Sequence, residues 1–426
     1  MKHLPNRTRH FNPLTALGPG LITGAADDDP SGIATYSQAG AQFGLQMLWT
    51  VLLTYPLMAV FQSLCGRIGR VTGNGLASNI KATFPTWVLL SVVALVLFAN
   101  ILNVSSDVAA MGEAAALYLP GQRHVLTVGF ALLTLGLLIF VPYHRYVWIL
   151  KWLTLSLFAY IAVAFIVHVP WPEVALRTFV PQFKVDRDSL TLIVAVFGTT
   201  ISPYLFFWQA SEEVEEIENH PGEHALRDAP GEAPEELRRI GWDTYIGMGY
   251  SNLIAFFVIL ATAVTLNAHG LTNVETAAQA AAALKPIAGD FAAALFALAI
   301  VGTGLLAIPT LAGSAAYALS EALGWREGLE LKFSEARGFY VIIGVAILGG
   351  VAVSYSPLDP IKALFWSAVV NGVVAVPLMA IIMLLASRRS LMGAFVATPW
   401  QRWGGWAATA VMGVAAVLMF VTMGAD

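Results

Sequence analysis

Leu14 to Gly40 reads LTALGPGLITGAADDDPSGIATYSQAG, and the middle of this stretch decides the fold. Its flanks are apolar and glycine-rich, as in a bilayer-spanning helix. Three aspartates, Asp27, Asp28 and Asp29, nevertheless lie midway, with Pro30, Ser31 and Gly32 directly after them. Proline removes a backbone donor and clashes with the preceding turn, while glycine tolerates dihedrals that other residues avoid. A helix is therefore expected to unwind here, near the middle of the membrane. Carboxylates at that depth are costly, so they face a cavity, a partner or a cation.

The rest of the chain supplies the membrane context. Of its 426 residues, 57% are hydrophobic and 12% charged, against about 25% charged in soluble domains. A soluble protein of this length could not hide so much apolar surface. Eleven apolar segments are expected, at approximately 14–42, 45–66, 86–110, 125–142, 146–169, 189–211, 241–267, 287–320, 337–354, 360–386 and 404–424. The eighth is long enough to be tilted or bent. With the N-terminus placed inside, only Arg123, Arg177, Lys184, Arg187, Lys285 and Lys362 fall in outer loops, and the other 17 of the 23 basic residues fall inside. That bias follows the positive-inside rule. It predicts a multi-pass protein of the plasma (inner) membrane, with a cytoplasmic N-terminus and an outside C-terminus. Residues 1–426 are read as one transmembrane domain, and 212–240 as an acidic cytoplasmic loop. The polar N-terminus shows no cleavable signal. A single cysteine, Cys65, excludes a disulfide framework and a multi-cysteine metal site. A net charge of −4 gives no sign of nucleic-acid binding, and nothing points to a cofactor, an enzyme active site or an obligate protein partner.

A second segment breaks the same rules. Ser189 to Ser211, SLTLIVAVFGTTISPYLFFWQAS, carries Gly198, Thr199, Thr200, Ser202 and Pro203 at its centre. It is the sixth segment, five after the first. Broken helices at corresponding positions of two halves point to a transporter's binding site. Segments one to five (about 14–169) and six to ten (about 189–386) then form an inverted repeat, with an eleventh helix at about 404–424. The expected fold is all-α and polytopic, with unwound carbonyls near Gly32 and Thr199 free to meet a cation.

At these residues the chain resembles the Nramp family of divalent-metal transporters. Gly18-Pro19-Gly20, Asp29-Pro30, Ile33-Ala34-Thr35, Ala39-Gly40-Ala41-Gln42-Phe43-Gly44 and Leu48-Trp49 match that family's first-helix pattern. Gly198, Thr200 and Pro203 match its sixth-helix pattern more weakly. The resemblance implies the leucine-transporter (LeuT) fold, with helices one and six broken. It also implies a metal site at Asp29. The departures are informative. The family's first-helix Asn falls at Gly32, and its sixth-helix methionine, a soft thioether, falls at Ser202. Carboxylate, carbonyl and water suit Mg²⁺, Ca²⁺ and Mn²⁺, and Mg²⁺ keeps several of its waters. The expected metal set is Asp29, Gly32, Thr199, Ser202, Asp28 and Asn371, built for a hard, partly hydrated cation as in the Nramp-related magnesium transporters.

The family's sixth-helix histidines fall at Tyr204 and Gln209, which favours metal flow without proton coupling. Asp27, Asp107, Tyr204, Gln209 and Glu113 are candidates for the permeation path or proton handling. Glu212, Glu213 and Glu216 are candidates for an inner vestibule that attracts cations. Two other readings compete. A proton-coupled Mn²⁺/Fe²⁺ symporter would use Asp27 or Asp107 in place of the histidines. An organic-solute carrier would aim half-helix N-termini at a substrate carboxylate, which the three aspartates would repel. The expected partners are a divalent cation, Mg²⁺ or Mn²⁺, as substrate, and the lipid bilayer.

Overall fold

Several helices of the computed structural model begin at a proline or end at a glycine. The structure describes residues 23–24, 26–141, 152–220, 222–329 and 331–424. Gly18-Pro19-Gly20, the starts of the first and fifth segments and His3, His10 and His144 lie outside these residues. In the first segment Thr23, Gly24, Ala26 and Asp27 are helical, whereas Asp28 and Asp29 are not. The chain re-enters a helix at Pro30, giving α1 (Pro30–Phe43). It turns at Gly44, whose φ of 58° suits glycine, into α2 (Leu48–Thr72). Next come α3 (Thr86–Ala116), α4 (Arg123–Phe140) and α5 (Phe158–Ile166).

The second half repeats the plan. The sixth segment is split into α6 (Arg187–Thr200) and α7 (Pro203–Asn219). The remaining spans are α8 (Ala233–Thr265), α9 (Ala292–Leu323), α10 (Arg337–Ser354) and α11 (Pro360–Ala386), then α12 (Pro399–Met423). Nine stretches among the described residues are long and apolar enough to cross a membrane. One of them, Pro30–Thr72, contains the two spans that meet at Gly44, and the fifth segment is the shorter apolar helix at Leu155–Ile166. Counted so, the eleven expected segments are all present.

Packing between the halves obeys the repeat. If each segment maps onto the one five later, α1 against α8 should exchange with α7 against α2, and α3 against α9 should map onto itself. All three pairs are among the most extensive contacts in the molecule. Close approach needs small residues. A Cβ on Gly24 would come 2.2 Å from the Gly247 carbonyl on α8, and one on Gly198 would come 2.1 Å from the Ala368 carbonyl on α11. The broken segments are thus held backbone to backbone against their neighbours.

The stretch 212–240, expected as a solvated and partly helical acidic linker, is helical at both ends but not solvated throughout. Helix α7 runs on to Asn219 and α8 begins at Ala233. Glu213 packs inside the protein, fully buried, 2.5 Å from the Arg239 guanidinium. Arg70, 1% exposed, holds Glu223 at 2.7 Å and Glu236 at 3.2 Å.

Candidate metal site at the paired helix breaks

Asp29 sits at the first break and caps α1. Its backbone is extended, with φ −70° and ψ 170°, and Oδ1 accepts from the Gly32 N–H and the Ser31 hydroxyl, both at 2.7 Å. Aspartate is a strong N-cap because it satisfies the orphan N–H groups of a helix's first turn. Oδ2 is left facing α3, where the Asn103 amide lies 3.5 Å away. Asp107, one turn further along α3, interacts electrostatically with Asp29. Both of its oxygens are buried and have no hydrogen-bond partner. Asn100, Asn103 and Asp107 recur at helical spacing, so they share one face of α3.

The other two aspartates turn elsewhere. Asp27 Oδ2 and Asp28 Oδ1 meet the Ser251 hydroxyl of α8, at 2.6 and 3.1 Å. All four aspartates are at most 1% exposed. Among the described residues no basic side chain forms an ion pair with any of them.

The second break is closed by its own side chains. Ile201 and Ser202 leave helical geometry. The Ser202 hydroxyl donates to the carbonyls of Gly198 and Thr199, at 2.9 and 2.7 Å. Ser202 therefore caps the end of α6, and Thr199 shares its carbonyl with that hydroxyl. Thr199 Oγ1 lies 3.5 Å from Ser31 Oγ, and Thr200 Oγ1 lies 3.0 Å from the Tyr36 hydroxyl, which joins α6 to α1. Gly32 also differs from expectation. The helix restarts at Pro30, so Gly32 stands in its first turn, where the orphan group is the N–H and not the carbonyl. A methyl at Gly32 would lie 3.4 Å from Thr199 Oγ1, ordinary van der Waals contact.

Asn371 is fully buried on α11, and neither its amide nitrogen nor its oxygen has a partner. Its neighbour Gly372 packs against Gly198, one turn before the second break. Asn371 is thus beside the breaks with its hydrogen-bonding capacity unused, which in a native interior calls for a reason.

Several expected roles fall differently. The Tyr204 hydroxyl donates to the Ala26 carbonyl at 3.2 Å, and the Thr23 hydroxyl donates to Gln209 at 3.2 Å. Both α7 residues tie down the half-helix that precedes the first break. Glu113 is away from the breaks, at the end of α3, 3.6 Å from Arg123. The side chains of α7 that line an acidic cavity of about 560 Å³ are Ser211, Val214, Glu215 and Glu218, joined by Glu321 and Glu327. Glu212, Glu213 and Glu216 are out of phase with that stripe. Glu213 is turned into the protein towards Arg239, and Glu216 lies near His220 and Glu223, with ligand atoms within 4.8 Å of one another. A periodicity count along α7, anchored on Ser211, picks out Glu215 and Glu218. Ser251 has no counterpart among the expected residues, since a lone serine in a long apolar helix carries no such signal. Asn103 stands out in the sequence only as part of a polar face.

A second cavity, of about 630 Å³, opens at the other end of the sixth segment, lined by Ala34, Gln38, Asp186, Asp188, Asn273 and Lys362 among others. Ala34 is about 7 Å along the helix from Asp29, and Ser211 about 12 Å from Pro203, at about 1.5 Å per residue. The aspartates lie between the two cavities and open to neither.

A buried acidic site at two helix breaks, between opposed cavities, is the arrangement of an alternating-access carrier. The family model for natural resistance-associated macrophage protein-like chains matches residues 20–422. The chain belongs to the Nramp family. A divalent metal cation transporter MntH from Acidiphilium cryptum is 28% identical over 92% of this chain and 86% of its own length. Among solved structures, an Eremococcus coleocola manganese transporter in complex with an aromatic bis-isothiourea substituted compound superposes with a TM-score of 0.76 at 18% identity, covering 99% of this chain and 88% of that one. MhsT in complex with L-phenylalanine has a TM-score of 0.59 at 13% identity, covering 95% and 98%. The fold is the LeuT-like five-plus-five inverted repeat with an added helix. This Nramp chain is a multi-pass integral membrane transporter, not an enzyme.

Proposed function

We propose that this Nramp-family divalent metal transporter carries a hard cation, Mg²⁺ or Mn²⁺, by alternating access around Asp29, and that transport needs no proton. One observation carries the reading. Asp29 Oδ2 and both Asp107 oxygens face a buried site with no basic partner among the described residues, and the donors around them are oxygens and amides. Carboxylate and amide oxygens with retained water suit Mg²⁺ and Mn²⁺ better than soft metals. Asn103 and Asn371 offer further oxygens, and Ser202 and Thr199 line the second break. The Met111 thioether packs against Gly304 on α9. None of the described histidines is buried, so none of these imidazoles stands ready as a proton relay at the breaks.

The name of the Eremococcus coleocola manganese transporter supports Mn²⁺ as cargo. The competing reading is proton-coupled Mn²⁺ symport with Asp107 as the proton carrier. Proteoliposomes with a pH dye inside separate the two. Mg²⁺ or Mn²⁺ entry with a steady lumenal pH is expected. Lumenal acidification that scales with metal entry would replace uniport by symport. Cadmium entry that outcompetes Mg²⁺ would overturn the hard site.

A further inference from the structure

We propose that Asp27, Asp28 and Ser251 form a second site for a hard, oxygen-liganded cation, on the α8 side of the first break and separate from the Asp29–Asp107 site. It extends the proposed function and stands on different residues.

The Ser251 hydroxyl lies 2.6 Å from Asp27 Oδ2 and 3.1 Å from Asp28 Oδ1. A serine has one proton to donate, so it satisfies one carboxylate and sets bare lone pairs against the other. The remaining oxygens, Asp27 Oδ1 and Asp28 Oδ2, have no partner, in residues 0% and 1% exposed. Two adjacent carboxylates in a membrane interior with one shared donor are uncompensated, and a bound cation supplies what is missing. The donors are all hard oxygens.

The frame around them is closely packed. Gly24 and Gly247 bring the half-helix and α8 into backbone contact, and Ser251 lies about one turn beyond Gly247. A second side chain on α8, Asn252, is tied towards α2 by the Thr54 hydroxyl at 3.4 Å. Charge gives an independent count. Ionised, Asp27, Asp28, Asp29 and Asp107 would carry four negative charges, and among the described residues no basic side chain pairs with them. One divalent cation at Asp29 leaves two charges uncovered, and a second cation between Asp27 and Asp28 covers them.

The test is a count of bound Mn²⁺ on the purified full-length chain in detergent, by electron paramagnetic resonance, with Na⁺ or choline as the background cation. Two Mn²⁺ per chain are expected in choline. Asp27→Asn/Asp28→Asn should bind one, and Asp29→Asn should also bind one, the other site in each case. Ser251→Ala keeps both charges and should weaken only the second ion, by at least about tenfold. If Na⁺ removes one Mn²⁺ from the wild type and none from Asp27→Asn/Asp28→Asn, the site exists and takes Na⁺. One Mn²⁺ per chain in the wild type in both backgrounds overturns the inference. So do two in the double variant, or an unchanged second affinity in Ser251→Ala. Loss of an ion from Asp27→Asn/Asp28→Asn but none from Asp29→Asn would instead refute the transport-site reading and leave this site standing.

Discussion

Asp29 does two jobs with two oxygens, and substitution can separate them. Oδ1 caps α1 through Ser31 and Gly32 at 2.7 Å, while Oδ2 faces Asn103 and the site. Asparagine is as good an N-cap as aspartate, whereas alanine loses about 1 kcal/mol. Asp29→Asn should therefore unfold at nearly the wild-type temperature, and Asp29→Ala about one degree lower. Both lose the charge. Two unit charges about 4 Å apart in water attract by about 1 kcal/mol, so a divalent ion loses at least about 2 kcal/mol, and more in a site shielded from water. That is a fall of at least about thirtyfold in affinity for Mg²⁺ or Mn²⁺. The assay pairs thermal unfolding in detergent with uptake into proteoliposomes. If Asp29→Asn takes up Mn²⁺ at the wild-type rate, Asp29 is a cap and no ligand. If Asn and Ala destabilise equally, Oδ1 does not hold the helix end.

Gly198→Ala would drive a methyl to 2.1 Å from the Ala368 carbonyl and 2.2 Å from the Gly372 nitrogen; because both neighbours are backbone, a loss of at least about 3 kcal/mol is expected, read as a large drop in unfolding temperature. Asn371→Leu removes two buried, unpartnered polar atoms and should leave stability unchanged or raise it by about 1 kcal/mol while cutting Mn²⁺ uptake at least about tenfold; wild-type uptake would exclude Asn371 from the path. Glu327, between α9 and α10, is pushed up to about 9 by burial and by Glu321, Glu218 and Glu215. Its folded-state value lies above the unfolded 4.5, so its contribution is full below about pH 4.5 and is lost as pH rises towards 9. Unfolding scans of Glu327→Gln against wild type should show a shallower loss of stability over that window, and parallel curves would contradict it.

The sequence carries the frame of this protein more fully than the chemistry of its site. Pro30 and Pro203 stand just after both breaks, because a residue without an N–H opens a helix at no cost in hydrogen bonds and disfavours the turn before it; Pro56, Pro309 and Pro377, inside intact helices, show that proline alone does not make a break. Apolar length marks the spans, since a bilayer leaves few alternatives. Direction is harder to read. Whether Gly32 presents its carbonyl or its N–H depends on which side of the break it falls, and Pro30 places it on the N–H side. Ser202 is expected from the pattern to face the ion, yet a serine just after a helix can instead bond back to the last carbonyls, and here it does.

The three aspartates show the same division between pattern and partner. Adjacent residues in a helix point about 100° apart, so the pattern expects at least one acid in the group to meet a cation or proton, Asp29 with Asp28 beside it, and the rest to cap or face water. Asp29 caps with one oxygen and faces the site with the other. Asp27 and Asp28 do not reach water, because Gly24 and Gly247 bring α8 against the half-helix and Ser251 meets them there. That contact joins residues 224 and 223 positions apart, which no local pattern encodes. The step from three acids in a row to the two proposed cation sites therefore rests on the tertiary fold. The charge that has to be balanced is visible in the sequence alone.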